Sequence, residues 1–231
     1  MIDGKLIVFE GVEGCGKTTQ LQRSQQWLLE SGWLSDLQSK GYCSDLVVTR
    51  EPGGTELGVG LRQLLLGQPA QEPIYDQAEL LLYAADRSQH VVGLLQPQVA
   101  KRAIILCDRY TDSTVAYQGY GRGLDLGLID QLNQIATQGL ESDLTLWLDL
   151  DVEVGLARTQ RRGVADRMEQ ADLAFHQRVQ QGFAALANRY PQRIVRVDAS
   201  QTEREVAQQI QTILSQCFAQ WYGVAGFTAK T

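Results

Sequence analysis

The stretch GVEGCGKTT, from Gly11 to Thr19, places three glycines in six positions and then Lys17, Thr18 and Thr19. Gly11, Gly16, Lys17 and Thr18 match the spacing G-x-x-x-x-G-K-[ST], with the apolar run Leu6 to Phe9 before it and a helically spaced segment, Lys17 to Ser31, after it. Alone, such a run is also an ordinary glycine-rich turn. Between a strand and a helix it has a chemical purpose, because glycines let the backbone curl until successive N–H groups and the helix N-terminus converge on one anion. Lys17 would then reach the β and γ phosphates of a nucleoside triphosphate, and the Thr18 hydroxyl would ligate Mg²⁺.

The remainder of the chain alternates in the same manner. Nearly continuous apolar runs at Leu6 to Phe9, Leu46 to Thr49, Ala103 to Cys107, Leu144 to Leu150 and Ile194 to Val197 read as strands covered on both faces. Helical spacing marks Lys17 to Ser31, Glu56 to Leu66, Asp76 to Lys101, Leu126 to Thr137, Val152 to Arg161, Gln170 to Tyr190 and Thr202 to Trp221. The order predicts an α/β architecture, a five-stranded parallel sheet with helices on both faces, in one domain spanning all 231 residues. Ligands of such sheets bind beyond the carboxyl ends of the strands. The loop at Gly11 and the segments at Arg50 and Asp108 all lie at such ends and are expected to converge. The segment Trp33 to Asp45 reads as a long surface connection, and Gly223 to Thr231 as a fraying tail.

A net charge of −6 argues against a nucleic-acid coat or an anionic-membrane partner. Cys15, Cys43, Cys107 and Cys217 lack metal or disulfide spacing and read as thiols of a cytoplasmic protein. No run approaches membrane-span length, and the apolar run near the N-terminus is too short for a secretory signal. His90 and His176 are too few and too far apart for a metal site and read as structural.

The destination of the phosphate is narrowed by what else the chain carries. No NKxD or DxxG string of a guanine-nucleotide switch is present. A kinase acting on another phosphate needs no catalytic base, since a nucleoside monophosphate is mostly dianionic at neutral pH. It needs cations to offset the repulsion between two anions. Arg50 ends the second strand, Arg109 ends the third, and Arg158, Arg161, Arg162 and Arg167 crowd one segment, which alone would also fit a solvated basic helix face.

Five segments in order, FEGVEGCGKTTQ, TREPGGTELG, LLYAADRSQH, CDRYTDSTVAYQGYGRG and LWLDLDVEVGLAR, resemble the thymidylate kinase family in its bacterial form with lid arginines. The resemblance runs from about Lys5 to about Ser200. It implies a P-loop NTPase fold with a mobile lid at about 155–168, a homodimer, and Mg²⁺-dependent phosphorylation of dTMP to dTDP by ATP. The ATP site would comprise Gly11, Val12, Glu13, Gly14, Cys15, Gly16, Lys17, Thr18 and Thr19, with Arg158 from the lid. Arg109 would grip the dTMP phosphate, Arg50 and Arg62 would be further contacts to it, and Glu51, Pro52 and Ser113 would belong to the dTMP site. Tyr83 would stack on thymine, Arg87 would donate to its O4, Thr114 and Gln118 would meet the base edge, and Tyr117 would exclude a ribose 2′-hydroxyl. Asp108 would join Thr18 at the metal, Glu13 would stand near the transfer site, and Arg162 would close over the moving phosphoryl group. As residues alone, the two carboxylates also fit helix or strand caps. Cys15 stands where some relatives carry a basic loop residue, so the charge would come from the lid. The Glu51–Pro52 bond has a sequence compatible with the cis isomer.

Overall fold

The structure, a computed structural model, describes residues 3–67, 72–161, 163 and 166–223; Arg162 and the tail beyond Gly223 lie outside the described residues. The five apolar runs form one parallel sheet of β1 (Lys5–Glu10), β2 (Leu46–Arg50), β3 (Ile104–Asp108), β4 (Leu144–Asp149) and β5 (Ile194–Asp198), in the spatial order β2-β3-β1-β4-β5. Side chains alternate across each strand. Ile7, Phe9, Ile104 and Leu106 therefore enter one core, while Leu6, Val8, Ile105 and Cys107 enter another on the opposite face. That two-sided burial is why the central strands carry almost no polar residue.

Phe9 of β1 and Arg50 of β2 both pair with Asp108 of β3, so the three strands end flush. The chain leaves central β1 to one side for β2 and β3 and to the other for β4 and β5. The glycine loop thus sits at the switch point, where ligands of such sheets bind.

Around the sheet lie α1 (Lys17–Glu30), α2 (Trp33–Ser39), α3 (Glu56–Leu66), α4 (Asp76–His90), α5 (Gln96–Ala100), α6 (Thr111–Thr114), α7 (Leu126–Thr137), α8 (Val152–Gln160), α9 (Leu173–Arg189) and α10 (Glu203–Tyr222). Three segments depart from the sequence expectations. The single helix expected over 76–101 is divided by a π-turn at Val91–Leu95, because Pro97 has no N–H to return to the carbonyl of Gly93. A second π-turn, Val115–Gly121, follows α6 where no regular element was expected. Its glycines favour contact over propensity, since a Cβ at Gly121 would stand 2.6 Å from the ring of Phe175 on α9.

The third departure corrects the surface-loop reading of Trp33 to Asp45. Trp33, Leu34 and Leu37 share one face of α2 and are buried, with the Trp33 ring 5.5 Å from that of Phe218 on α10. The segment belongs to the core. Trp33→Ala is therefore expected to cost about 3–5 kcal/mol in urea unfolding, where an exposed loop position would lose under about 0.5 kcal/mol.

Candidate active site

The loop after β1 is built to leave backbone donors unspent. Gly16 stands at the N-cap of α1 with φ 96° and offers no side chain, so the first-turn N–H groups of the helix remain for an anion. Gly14 has φ 69°, and a Cβ there would lie 2.1 Å from the carbonyl oxygen of Gly155 on α8. The Lys17 Nζ folds onto the loop, donating to the carbonyls of Gly11 and Val12, both at 2.9 Å. It also lies 3.6 Å from Cys15 Sγ. An anionic phosphate is a stronger acceptor than either carbonyl.

The Thr18 hydroxyl donates to Asp108 Oδ2 at 2.9 Å, whereas Asp108 Oδ1 is buried without a hydrogen-bond partner. Two adjacent hard oxygens, one of them orphaned, suit Mg²⁺, which is commonly held by one or two protein oxygens with waters and substrate phosphates supplying the rest. Among the described residues no group of three or more His, Cys, Asp or Glu could hold a metal by itself.

Arg109 closes the floor of the cleft. Its φ of 72° is uncommon for a residue with a side chain and marks strain retained at a working position. Its Nη1 donates to Gly11 O at 3.3 Å and Ser113 Oγ at 3.1 Å; Nη2 donates to Glu13 at 2.7 Å and Tyr117 Oη at 3.0 Å. Burial raises the Glu13 carboxyl, but the cations of Arg109 and Lys17 and the bond from Tyr117 outweigh it and bring the pKa down to about 2. Glu10, fully buried behind this group, accepts from the backbone N–H groups of Tyr110 and Ser113 and from Ser113 Oγ. Burial pushes its pKa up to about 7 against the opposing pull of Arg109.

At the other end, Arg87 of α4 is almost entirely enclosed. Its Nε donates to Glu51 at 2.8 Å, Nη1 to Thr114 and Asn133, both at 2.8 Å, and Nη2 to the Tyr110 carbonyl at 3.0 Å. Four of the five N–H donors of a guanidinium are thus engaged, leaving one on Nη2 for a ligand. Glu51, expected in the dTMP site, lines the cleft and accepts from Arg87, its second oxygen meeting His90 Nδ1 at 2.9 Å. The pairing is electrostatic, since a carboxylate is attracted to a buried guanidinium. His90 also meets Thr49 Oγ1 at 2.7 Å, in keeping with a structural role. The Glu51–Pro52 peptide is cis, and Arg62 Nη1 donates to the Pro52 carbonyl at 2.9 Å.

One cleft of about 1000 Å³ joins the two ends. Its walls include the loop from Glu13 to Thr19, Arg50, Arg62, Tyr83, Gln118 and Arg158. Burial and the nearby Glu79 carboxylate push the Tyr83 hydroxyl up, which keeps that ring neutral. Three contributors were not foreseen from the sequence. Asn133 is a polar residue on the buried stripe Ile129, Asn133 and Ala136 of α7, and that misplacement was the signal. Glu10 ends β1 directly after the apolar run Leu6 to Phe9. Glu79 stands one turn before Tyr83 and two before Arg87, on the same face of α4.

The family model described as thymidylate kinase matches residues 9–210. The chain is 63% identical over 226 residues to a thymidylate kinase of Cyanothece sp., covering 95% of this chain and 97% of the relative. It is 62% identical over 212 residues to that of Nostoc punctiforme, covering 91% and 95%. Among solved structures, a thymidylate kinase from Ehrlichia chaffeensis superposes with a TM-score of 0.68 at 32% identity, over 92% of this chain and 99% of that one.

Glu10 also yields a pH signature. Its folded pKa of about 7 exceeds the ordinary 4.5, so between these values the native chain holds a proton that the unfolded chain has released, and stability falls as pH rises through that window. The isosteric Glu10→Gln removes this slope. Denaturant unfolding of both proteins is expected to show the variant gaining roughly 2 kcal/mol on the wild type between about pH 5 and about pH 8.

Proposed function

This chain belongs to the thymidylate kinase family, and from that premise we infer that its cleft transfers the γ-phosphoryl group of ATP to dTMP, giving dTDP and ADP. The observation that supports the site assignment is Arg109, whose one guanidinium touches the Gly11 carbonyl of the phosphate loop and, on the acceptor side, Ser113 and Tyr117.

In this reading ATP lies along Gly11 to Thr19, with Lys17 exchanging its loop carbonyls for phosphate oxygens. The acceptor phosphate exchanges with Glu13 for Arg109, a planar fork suited to two phosphate oxygens, with Arg50 and Arg62 beside it. Tyr83 stacks on the base, Arg87 offers its remaining Nη2 hydrogen to O4, Thr114 and Gln118 border the edge, and Tyr117 occupies the space of a 2′-hydroxyl. No base is required, because the attacking phosphate is already mostly dianionic, its second pKa being about 6. Thr18 and Asp108 would hold Mg²⁺, which when bound neutralises charge developing on the phosphates. The lid, about 155–168, contributes Arg158, exposed at the cleft wall, and Arg162, assigned by resemblance alone. With four free cysteines and no described helix long and apolar enough to cross a membrane, the cytoplasm suits this enzyme.

Arg109→Ala is expected to lower kcat/KM for dTMP about 10²–10³-fold while leaving ATP affinity within about twofold, read by coupled ADP formation and by nucleotide titration. A nucleotide-dependent switch would show no dTMP-dependent ADP release at all. Preference of the wild type for a ribonucleotide over dTMP would refute the Tyr117 assignment.

Leu81 on α4 and Ile135 on α7 are 54% and 72% exposed on two helices that pack against each other, an apolar surface that suits a homodimer. Sedimentation is expected to give twice the mass of one chain.

A further inference from the structure

Glu79 has no exposed surface, yet no contact with any reacting group requires a carboxylate there. Its Oε1 accepts from Gln118 Nε2 at 2.7 Å, and its Oε2 accepts from Arg167 Nη2, whose Nε is tied to the Leu65 carbonyl at 2.8 Å. Arg122 approaches both oxygens at 3.3–3.4 Å and lays its guanidinium over the Phe175 ring. A carboxylate only accepts, so it fixes which end of the Gln118 carboxamide faces it. With Nε2 turned to Glu79, the atom Gln118 has left for the cleft it lines is Oε1, an acceptor.

We propose that Glu79 is a specificity-determining positioning residue, which locks the Gln118 amide with its oxygen toward the nucleobase and thereby selects a pyrimidine carrying N3–H over one carrying an unprotonated N3. This rests on the functional reading above. Thymine presents a donor at N3 and an acceptor at O4, matching Gln118 Oε1 and the free Arg87 Nη2–H. Cytosine presents an acceptor at N3 and an amino donor at C4, so both contacts become donor against donor or acceptor against acceptor. A freely rotating Gln118 would satisfy either base. The lock also reaches the end of the lid segment, because Arg167 lies within it and shares the carboxylate that holds Gln118.

The test is the ratio of kcat/KM for dTMP to that for dCMP, by coupled ADP detection, in wild type, Glu79→Gln and Gln118→Met, with thermal unfolding measured alongside. Glu79→Gln can donate as well as accept, so it permits the Gln118 amide to turn. The ratio is expected to fall at least about tenfold, a scale set by one mispaired buried hydrogen bond. Gln118→Met, which leaves the arginines on Glu79, is expected to lower it similarly, and the double variant to add nothing further. Should Glu79→Gln fail to fold, Glu79→Asp keeps the charge for Arg167 and Arg122 but shortens the reach to Gln118, and the ratio is expected to fall in it too. A ratio within twofold of wild type in a folded Glu79 variant, whatever its melting temperature, overturns the inference. So do additive effects in the double variant. A wild type that does not phosphorylate dTMP overturns the functional reading itself and this inference with it, whereas normal dTMP turnover with an unmoved ratio overturns the inference alone.

Discussion

Arg109 holds a positive charge at the floor of the cleft, between the phosphate loop and the Arg87 end, and this placement is what the rest of the site is arranged around. Phosphate groups brought together in a region of reduced dielectric repel strongly, and a cation already in position offsets that repulsion without reorganising solvent. Burial works against the charge of Arg109, yet Glu13 and the neighbouring anionic groups more than restore it. The strained backbone at φ 72° is the local cost of aiming the side chain back across the end of β1.

Around that cation, buried carboxylates act as fasteners. Glu51 grips Arg87 and His90, and Glu79 grips Gln118 and Arg167. Asp112 takes Arg193 through two bonds of 2.6 and 2.8 Å, joining α6 to the turn before β5. A charge removed from water has to be paired, and removing one partner strands the other. Each pair therefore also fixes the orientation of a loop or an amide, and it is orientation that a nucleotide site needs.

Much of this was legible in the order of residues. The glycine loop, the five apolar runs and the arginines at strand ends each depend on short-range rules, either a period of two or a fixed motif spacing, and those rules operate within a few residues. Trp33, Leu34 and Leu37 were misread because one turn of apolar spacing is too short to distinguish a buried helix from a loop. The π-turn at Val115–Gly121 was missed because its glycines argue locally against a helix, and only Leu126 and Ile129 of α7, against Gly119, and Phe175 and Val179 of α9, against Gly121, explain why they are there. That Glu51 would pair with Arg87 and His90 was not foreseen, because adjacency to a motif says nothing of which way a side chain turns.

What the sequence determined by itself was the class of chemistry: a strand, a glycine turn and a lysine at fixed spacing dictate a phosphate cradle wherever they occur, since the backbone that forms it is contiguous. What only the tertiary structure decided was the acceptor end of the cleft. Arg87, Thr114, Gln118 and Asn133 come from α4, α6, the second π-turn and α7, and which donors and acceptors remain free is settled by hydrogen bonds among residues 27 to 46 positions apart. Hydrogen bonds saturate, so the atoms left over for a ligand are known only after every internal partner has been assigned.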